Sequence, residues 1–146
     1  NFLKIHDSLS SLAAETISKA VKEYIEGKLP IQKQNNAEAT YANKIEKYET
    51  KINWSLTASE IRNLIYSISP KPGAWTITKE GKRLKILSAS IQEIDGEEGV
   101  LLDNQFVGCG SKSLKIIEVQ PEGKKIMPFD DYLRGKNFLI SERIFD

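Results

Sequence analysis

One cysteine and one histidine occur among 146 residues, and each shortage closes off chemistry. With Cys109 alone, neither an internal disulfide nor a cysteine-built zinc site is available, which fits a reducing compartment and favours the cytoplasm. His6 is the one imidazole. It stands beside Asp7 where a helix begins, with no Ser or Cys nucleophile pattern around it, so a helix-entry residue is the simpler reading. No apolar run approaches the ~20 residues that cross a bilayer, and no basic-then-apolar leader opens the chain. The first residues are "NFLKIHD", without an initiator methionine; the chain is therefore expected to be part of a longer protein. Internal repeats and low-complexity segments are also missing.

What is present suits one ordinary folded domain with an appended element: 40% hydrophobic and 28% charged residues. Net charge is only +1, so the mean gives no sign of a polyanionic partner. The distribution carries more. Lys71, Lys79, Lys82, Arg83 and Lys85 crowd one stretch against Glu80 alone, whereas Glu93, Asp95, Glu97, Glu98 and Asp103 follow with no base between them. Such sorting either makes a local field of one sign or marks two solvated edges of opposite charge.

Along the chain, Leu9, Leu12, Ala13, Ile17, Ala20, Val21 and Tyr24 recur every three or four positions, which predicts a helix of about five turns starting near Asp7 or Ser8 and ending at Gly27. "LPIQKQNNAEAT" (29–40) loses that period and reads as an extended linker, placing a domain boundary there. Thr57 and Glu60 have capping-box spacing ahead of Ile61, Leu64, Ile65 and Ile68, with Pro70 as the stop. Two β-like runs then flank Lys79-Glu80-Gly81-Lys82, a hairpin turn. Further strands are expected at 99–102, 105–110 and 114–119, and a short helix between Pro128 and Gly135. Short strands at this spacing suggest a small closed or nearly closed barrel.

Few of these residues offer catalysis. "GCG" at 108–110 lacks the third glycine and following helix of a dinucleotide fingerprint and reads better as a bend in a strand. Asp130 and Asp131 suit the first turn of a helix. Trp54 and Trp75 either pack in the core or stack on bases. In "QPEGKKIM" a tight turn displays Lys124 and Lys125 side by side, as a solvated loop or as a phosphate contact. Binding through basic loops of a barrel, with lysines tracking phosphates, is the chemistry that survives.

"INWSLTASEIRNLIYSISPKPGAW", "KILSA", "GVLL", "SLKIIEVQPEGKKIM" and "YLRG", in this order, resemble the C-terminal half of the methionyl-tRNA formyltransferases. The family pattern there runs I-D-W-x-x-x-A, N-P-x-P-G-A-W and L-Q-x-x-G-K-K-x-M. Asn53 stands where the family has Asp, and Ser69 where it has Asn. The likeness extends over essentially the whole chain and implies an α+β fold in three parts. Residues 1–28 would be the terminal helix of the N-terminal formyltransferase domain, 29–40 a linker, and 41–146 a C-terminal OB-like β-barrel with one inserted and one closing helix.

The resemblance also implies a function. The family moves a formyl group from 10-formyltetrahydrofolate to methionine on initiator tRNA, using an Asn, a His and an Asp of a Rossmann-like domain whose motifs do not occur in this sequence. The chain would then hold no catalytic residue, cofactor or metal. Its partners would be initiator methionyl-tRNA and the N-terminal catalytic domain, in the cytoplasm and away from membranes. Lys71, Lys79, Lys82, Arg83, Lys85, Lys124 and Lys125 would be the tRNA-binding residues. The alternative is a structural or oligomerising barrel of a sugar-nucleotide or folate enzyme of the same family. The Gln-x-x-Gly-Lys-Lys signature at 120–125 resembles the tRNA-modifying branch more closely.

Overall fold

The apolar period at the start of the chain forms a helix, α1 (Phe2–Ile25). It begins earlier than Asp7 or Ser8, because Phe2, Leu3 and Ile5 extend the helical run and leave those two residues inside it. At its end Lys28 N–H donates to the Glu23 carbonyl (2.9 Å) and Gly27 N–H to that of Tyr24 (3.1 Å), with Gly27 at φ +67°. This is the paired bonding that terminates helices at a left-handed residue. This computed structural model describes residues 1–103 and 105–146. Backbone contacts separate Leu3–Ile45 from a larger unit made chiefly of Glu46–Asp146. Within the first unit α1 buries no residue, and the segment after it holds only a short turn at Asn36–Glu38, capped by the Asn35 side chain. Among the described residues no helix is long and apolar enough to cross a membrane.

In the larger unit, the expected capping box opens α2 (Ala58–Ile68): Thr57 Oγ1 accepts from Glu60 N–H, and the Glu60 carboxylate accepts from Thr57 N–H at 2.9 Å. Ala58, Ile61, Ile65 and Ile68 are buried on one face. Six strands follow: β1 (Ala74–Ile77), β2 (Arg83–Gln92), β3 (Leu101–Asp103), β4 (Phe106–Gly108), β5 (Ser113–Pro121) and β6 (Met127–Pro128). They form one antiparallel sheet in the order β1-β2-β5-β4-β3, with β6 also on β5. The last helix, α3 (Phe129–Arg134), lies between Pro128 and Gly135 as expected.

The long pairing of β2 with β5 runs from Leu84↔Pro121 to Gln92↔Ser113, with a bulge between Ile86 and Ala89. At the bulge the Leu87 carbonyl accepts from Ser69 Oγ (2.8 Å), and the Ala89 carbonyl accepts from Tyr66 Oη (2.7 Å). The end of α2 is thus tied to the strand it covers.

Among the described residues the ladder does not close on itself: β3 does not pair with β1. The carboxy-terminal residues lie between these two ends instead. Lys79 N–H donates to the Ile144 carbonyl (3.0 Å) and Asp146 N–H to that of Ile77 (3.1 Å) on one side; Leu101 N–H donates to the Glu142 carbonyl and Ile144 N–H to that of Gly99 (2.9 Å each) on the other. Ile144 and Phe145 are buried, and the Phe145 ring stacks on Trp54 with centroids 5.1 Å apart. Trp54 is thereby a core residue, its Nε1 donating to Thr76 Oγ1 (3.0 Å). "GCG" is a site of close backbone approach, as its bend reading implies. A Cβ on Gly108 would lie 2.2 Å from the Glu97 carbonyl oxygen and one on Gly110 2.0 Å from that of Ser55. Cys109 between them is buried, and desolvation pushes its thiol up to about 12, an unreactive state.

Phe145 contacts both ends of the sheet and the aromatic stack, so Phe145→Ala is expected to cost about 3–5 kcal/mol, the usual penalty for emptying a buried aromatic site. Urea denaturation measures it, and a loss below about 1 kcal/mol would mean that the terminal segment is a dispensable cover.

Candidate nucleic-acid interface

Antiparallel pairing of Leu84 with Pro121 and Lys85 with Gln120 sets the start of β2 beside the end of β5. Two turns distant in sequence therefore become neighbours. The first, Thr78–Lys82, is closed by Thr78 N–H to the Lys82 carbonyl (2.9 Å) and Gly81 N–H to that of Thr78 (2.7 Å). The second follows β5: Lys124 N–H donates to the Pro121 carbonyl (3.0 Å), and Gln120 Nε2 to the carbonyl of Lys124 (3.1 Å). Glu122 N–H reaches across to the Arg83 carbonyl (3.3 Å) and links the two.

Two clefts open there. One, of about 210 Å³, is lined by Arg83, Lys85, Gln120, Glu122 and Lys124 among others. The second, of about 310 Å³, includes Lys82, Arg83, Glu122, Lys124, Tyr132 and Lys136. Strand alternation explains which side chains face out: Leu84 and Ile86 are buried, and Arg83 and Lys85 are half-buried on the other side with Trp75 of β1. The Arg83 guanidinium lies 4.5 Å over the Trp75 ring. Trp75 Nε1 donates to Thr50 Oγ1 at 3.0 Å. Arg83 Nε is buried without a hydrogen-bond partner.

The cations anticipated from the sequence fall into groups. Arg83, Lys85 and Lys124 line the first cleft and Lys82, Arg83 and Lys124 the second. Lys125 is exposed next to Lys124. Lys71 is exposed in the turn before Pro72 and lines neither cleft. Lys79 turns the other way, to a Glu142 carboxylate oxygen at 2.5 Å and over the Phe138 ring at 4.8 Å. Hydrogen bonding from Lys79 holds the Glu142 carboxyl below the usual carboxylate range. Lys136, not singled out in the sequence, lines the second cleft and pairs with Glu80, whose carboxyl it also holds low. Gln120 enters the sequence reading only through the Gln-x-x-Gly-Lys-Lys signature, and its place opposite Lys85 is a matter of register that no local pattern announces.

Charge sorted along the sequence is only partly separated in space. Glu93 and Asp95 follow the far end of β2, a strand of 10 residues, whereas the later part of the acidic run returns toward the β1–β2 turn: Ile144 N–H donates to the Gly99 carbonyl, and the Ile144 carbonyl accepts from Lys79 N–H. Within this run Glu93 pairs with Lys112 (2.7 Å) and Glu97 with Arg143 (3.0 Å). In contrast, no carboxylate pairs with Lys82, Arg83, Lys85 or Lys124 among the described residues. Glu80 interacts electrostatically with Lys82 and Glu122 lines both clefts, but the cations held in no ion pair outnumber them there, an arrangement that attracts an anion.

Residues 44–137 match the family model described as "Formyl transferase, C-terminal domain". Methionyl-tRNA formyltransferase of Caldanaerobacter subterraneus subsp. tengcongensis is 43% identical over 138 residues, covering 91% of this chain and 44% of that protein. The Pelagibacter ubique enzyme of the same name is 39% identical over 142 residues, covering 96% of this chain and 46% of its own. The chain thus spans less than half the length of these relatives. Among solved structures, HypX from Aquifex aeolicus in complex with tetrahydrofolic acid shares the fold, with a TM-score of 0.63 at 19% identity, over 82% of this chain and 22% of that one.

The Lys79–Glu142 pair has a direct check. A depressed folded-state pKa contributes stability that is present above the unfolded carboxyl value and is lost as pH falls through the folded one. In Lys79→Gln the Glu142 carboxyl is expected to titrate at higher pH by NMR, with less of that acid-labile contribution. An unchanged midpoint would show that Lys79 does not hold Glu142.

Proposed function

From the premise that this chain belongs to the formyl transferase C-terminal domain family, we propose that it is the tRNA-positioning part of a cytoplasmic methionyl-tRNA formyltransferase. The observation that carries this reading is the set of unpaired cations around the two clefts, with four of the anticipated residues, Lys82, Arg83, Lys85 and Lys124, lining them. Phosphates of initiator methionyl-tRNA are met by these four and by Lys125, with Lys71 on the flank. Lys79, whose charge Glu142 already answers, contributes by fixing the turn that presents Lys82. Lysines act here as mobile point charges that give affinity without reading bases.

The sheet and the terminal segment that bonds to both of its ends are read as an OB-like barrel. Residues 1–28 are assigned to the edge of the N-terminal catalytic domain and 29–40 to the linker. The exposed apolar residues of α1, among them Leu9, Leu12, Ile17 and Val21, support that assignment, since such a stripe ordinarily packs on something. Catalysis belongs to an Asn, a His and an Asp of that other domain, where 10-formyltetrahydrofolate is the formyl donor. There the methionine amine attacks the formyl carbon, a step that needs a proton acceptor and a stabilised oxyanion. His6 sits exposed on α1 against Asp7 (3.1 Å) and is given no part in it. The barrel orients the tRNA so that its acceptor end reaches the cleft where the reaction occurs.

A second reading is a structural or oligomerising barrel of a sugar-nucleotide or folate enzyme of the same family; the same fold occurs in HypX, solved in complex with tetrahydrofolic acid. Salt separates the two. In the full-length enzyme, replacing Lys124 and Lys125 together by Ala is expected to weaken initiator tRNA binding and to lower the salt slope by up to ~2. Stability should change by less than ~0.5 kcal/mol. Unchanged affinity and slope in the folded variant favour the structural barrel. The 146-residue chain alone is expected to give no single-turnover formylation of methionyl-tRNA; formyl transfer by the pure chain would refute the division of labour.

A further inference from the structure

We infer that Arg83 is the oriented phosphate anchor of this surface: a guanidinium held over the Trp75 ring for one phosphodiester of bound RNA, among lysines that supply unoriented charge. The inference rests on the RNA-binding reading above and deepens it.

Arg83 is the cation that borders both clefts from within the sheet. Its backbone is fixed by pairing with Ile77 and by the bond from Glu122 N–H. Its side chain is fixed as well. Trp75 cannot swing away, because its indole N–H is held by Thr50 Oγ1 (3.0 Å) and its carbonyl accepts from Ile52 N–H (2.7 Å). A guanidinium held over such a ring loses little further entropy on binding.

The other arginines make the contrast. Arg62 donates to Asn63 (2.9 Å), Arg134 to Asp131 (2.7 Å) and Arg143 to Glu97 (3.0 Å). Among the described residues Arg83 alone of the four has no side-chain hydrogen bond or ion pair, and its Nε is shielded from water as well. A cation so placed has its attraction unspent until an anion enters the cleft. The planar fork of guanidinium donors fits two phosphate oxygens at once, which an ammonium does not. Glu122, lining the same clefts, disfavours loose anions that bring no further contacts of their own, so a phosphate within a longer strand is the ligand that fits.

The test uses the full-length enzyme and initiator methionyl-tRNA, with Kd followed against salt concentration. Arg83→Lys keeps the charge and loses the fork and the stack. It is expected to weaken binding about tenfold with the salt slope unchanged. Lys82→Ala is expected to lower the slope by ~1 instead. Thr50→Val, which removes the shorter of the indole's two hydrogen bonds and leaves the one to the Lys47 carbonyl (3.4 Å) without altering charge, should reproduce part of the Arg83→Lys loss, again at constant slope. Thermal melting verifies that each variant is folded.

Wild-type affinity in Arg83→Lys overturns the anchor while leaving RNA binding in place. Absence of salt-dependent tRNA binding by the unmodified enzyme overturns the RNA reading itself, a different result. Inorganic phosphate is the control for a free-anion site. If it saturates the Arg83 Nε–H resonance yet tRNA leaves that resonance unmoved, the site belongs to a free anion and the inference fails. Movement of that resonance by tRNA supports it.

Discussion

The antiparallel pairing of β2 with β5 is the constraint on which the rest depends. It joins residues 21 to 37 positions apart in sequence, Leu84 to Pro121 at one end and Ser113 to Gln92 at the other. Both strands send apolar side chains to one side: Leu84, Ile86 and Ala89 from β2, and Leu114, Ile116 and Val119 from β5, all buried. A slip by one residue would turn those chains to water and Arg83 and Lys85 into the core, so the register is strongly specified. The same register fixes which turns meet at the end of the sheet, and hence where the basic clefts form.

Around that pair the fold is completed by contacts of long reach. The terminal Ile144 and Phe145 bond to the ends of the sheet and bury between them, extending an aromatic row through Trp54 and Phe129. Just outside, two ion pairs hold the β1–β2 turn from the segment after α3: Lys79 with Glu142 and Glu80 with Lys136. Exposed pairs of this kind contribute little to stability. Their effect is positional, because they consume the charges of Lys79 and Glu80 and leave Lys82 and Arg83 facing the clefts. Structure and binding chemistry are thus divided among adjacent residues of one turn.

Local chemistry made much of this readable in advance. The Thr57–Glu60 capping box, the turn at Gly81 and the helix between Pro128 and Gly135 rest on short-range rules and occur where those rules put them. The family resemblance was likewise carried by motifs in order, and the family match extends over residues 44–137. What could not be read is non-local. Nothing in "RIFD" says that it lies between two strand ends, and the partner of Lys79 is 63 positions away. Lys136 follows a helix stop, and nothing local names Glu80 as its partner. Trp75 reads as core or base-stacking and Arg83 as a phosphate contact, but their contact with each other depends on the diagonal across β1 and β2, which only the register supplies.

The central claim is that one end of the β2–β5 pair meets RNA. The most direct measurement is an NMR titration of the chain with initiator methionyl-tRNA, following backbone amides and the Trp75 indole N–H. Perturbation is expected at residues 75–85 and 120–126, including the indole, and not at Glu93 or Asp95, which follow the far end of β2. Perturbation centred on that far end, or none at saturating tRNA, would contradict it.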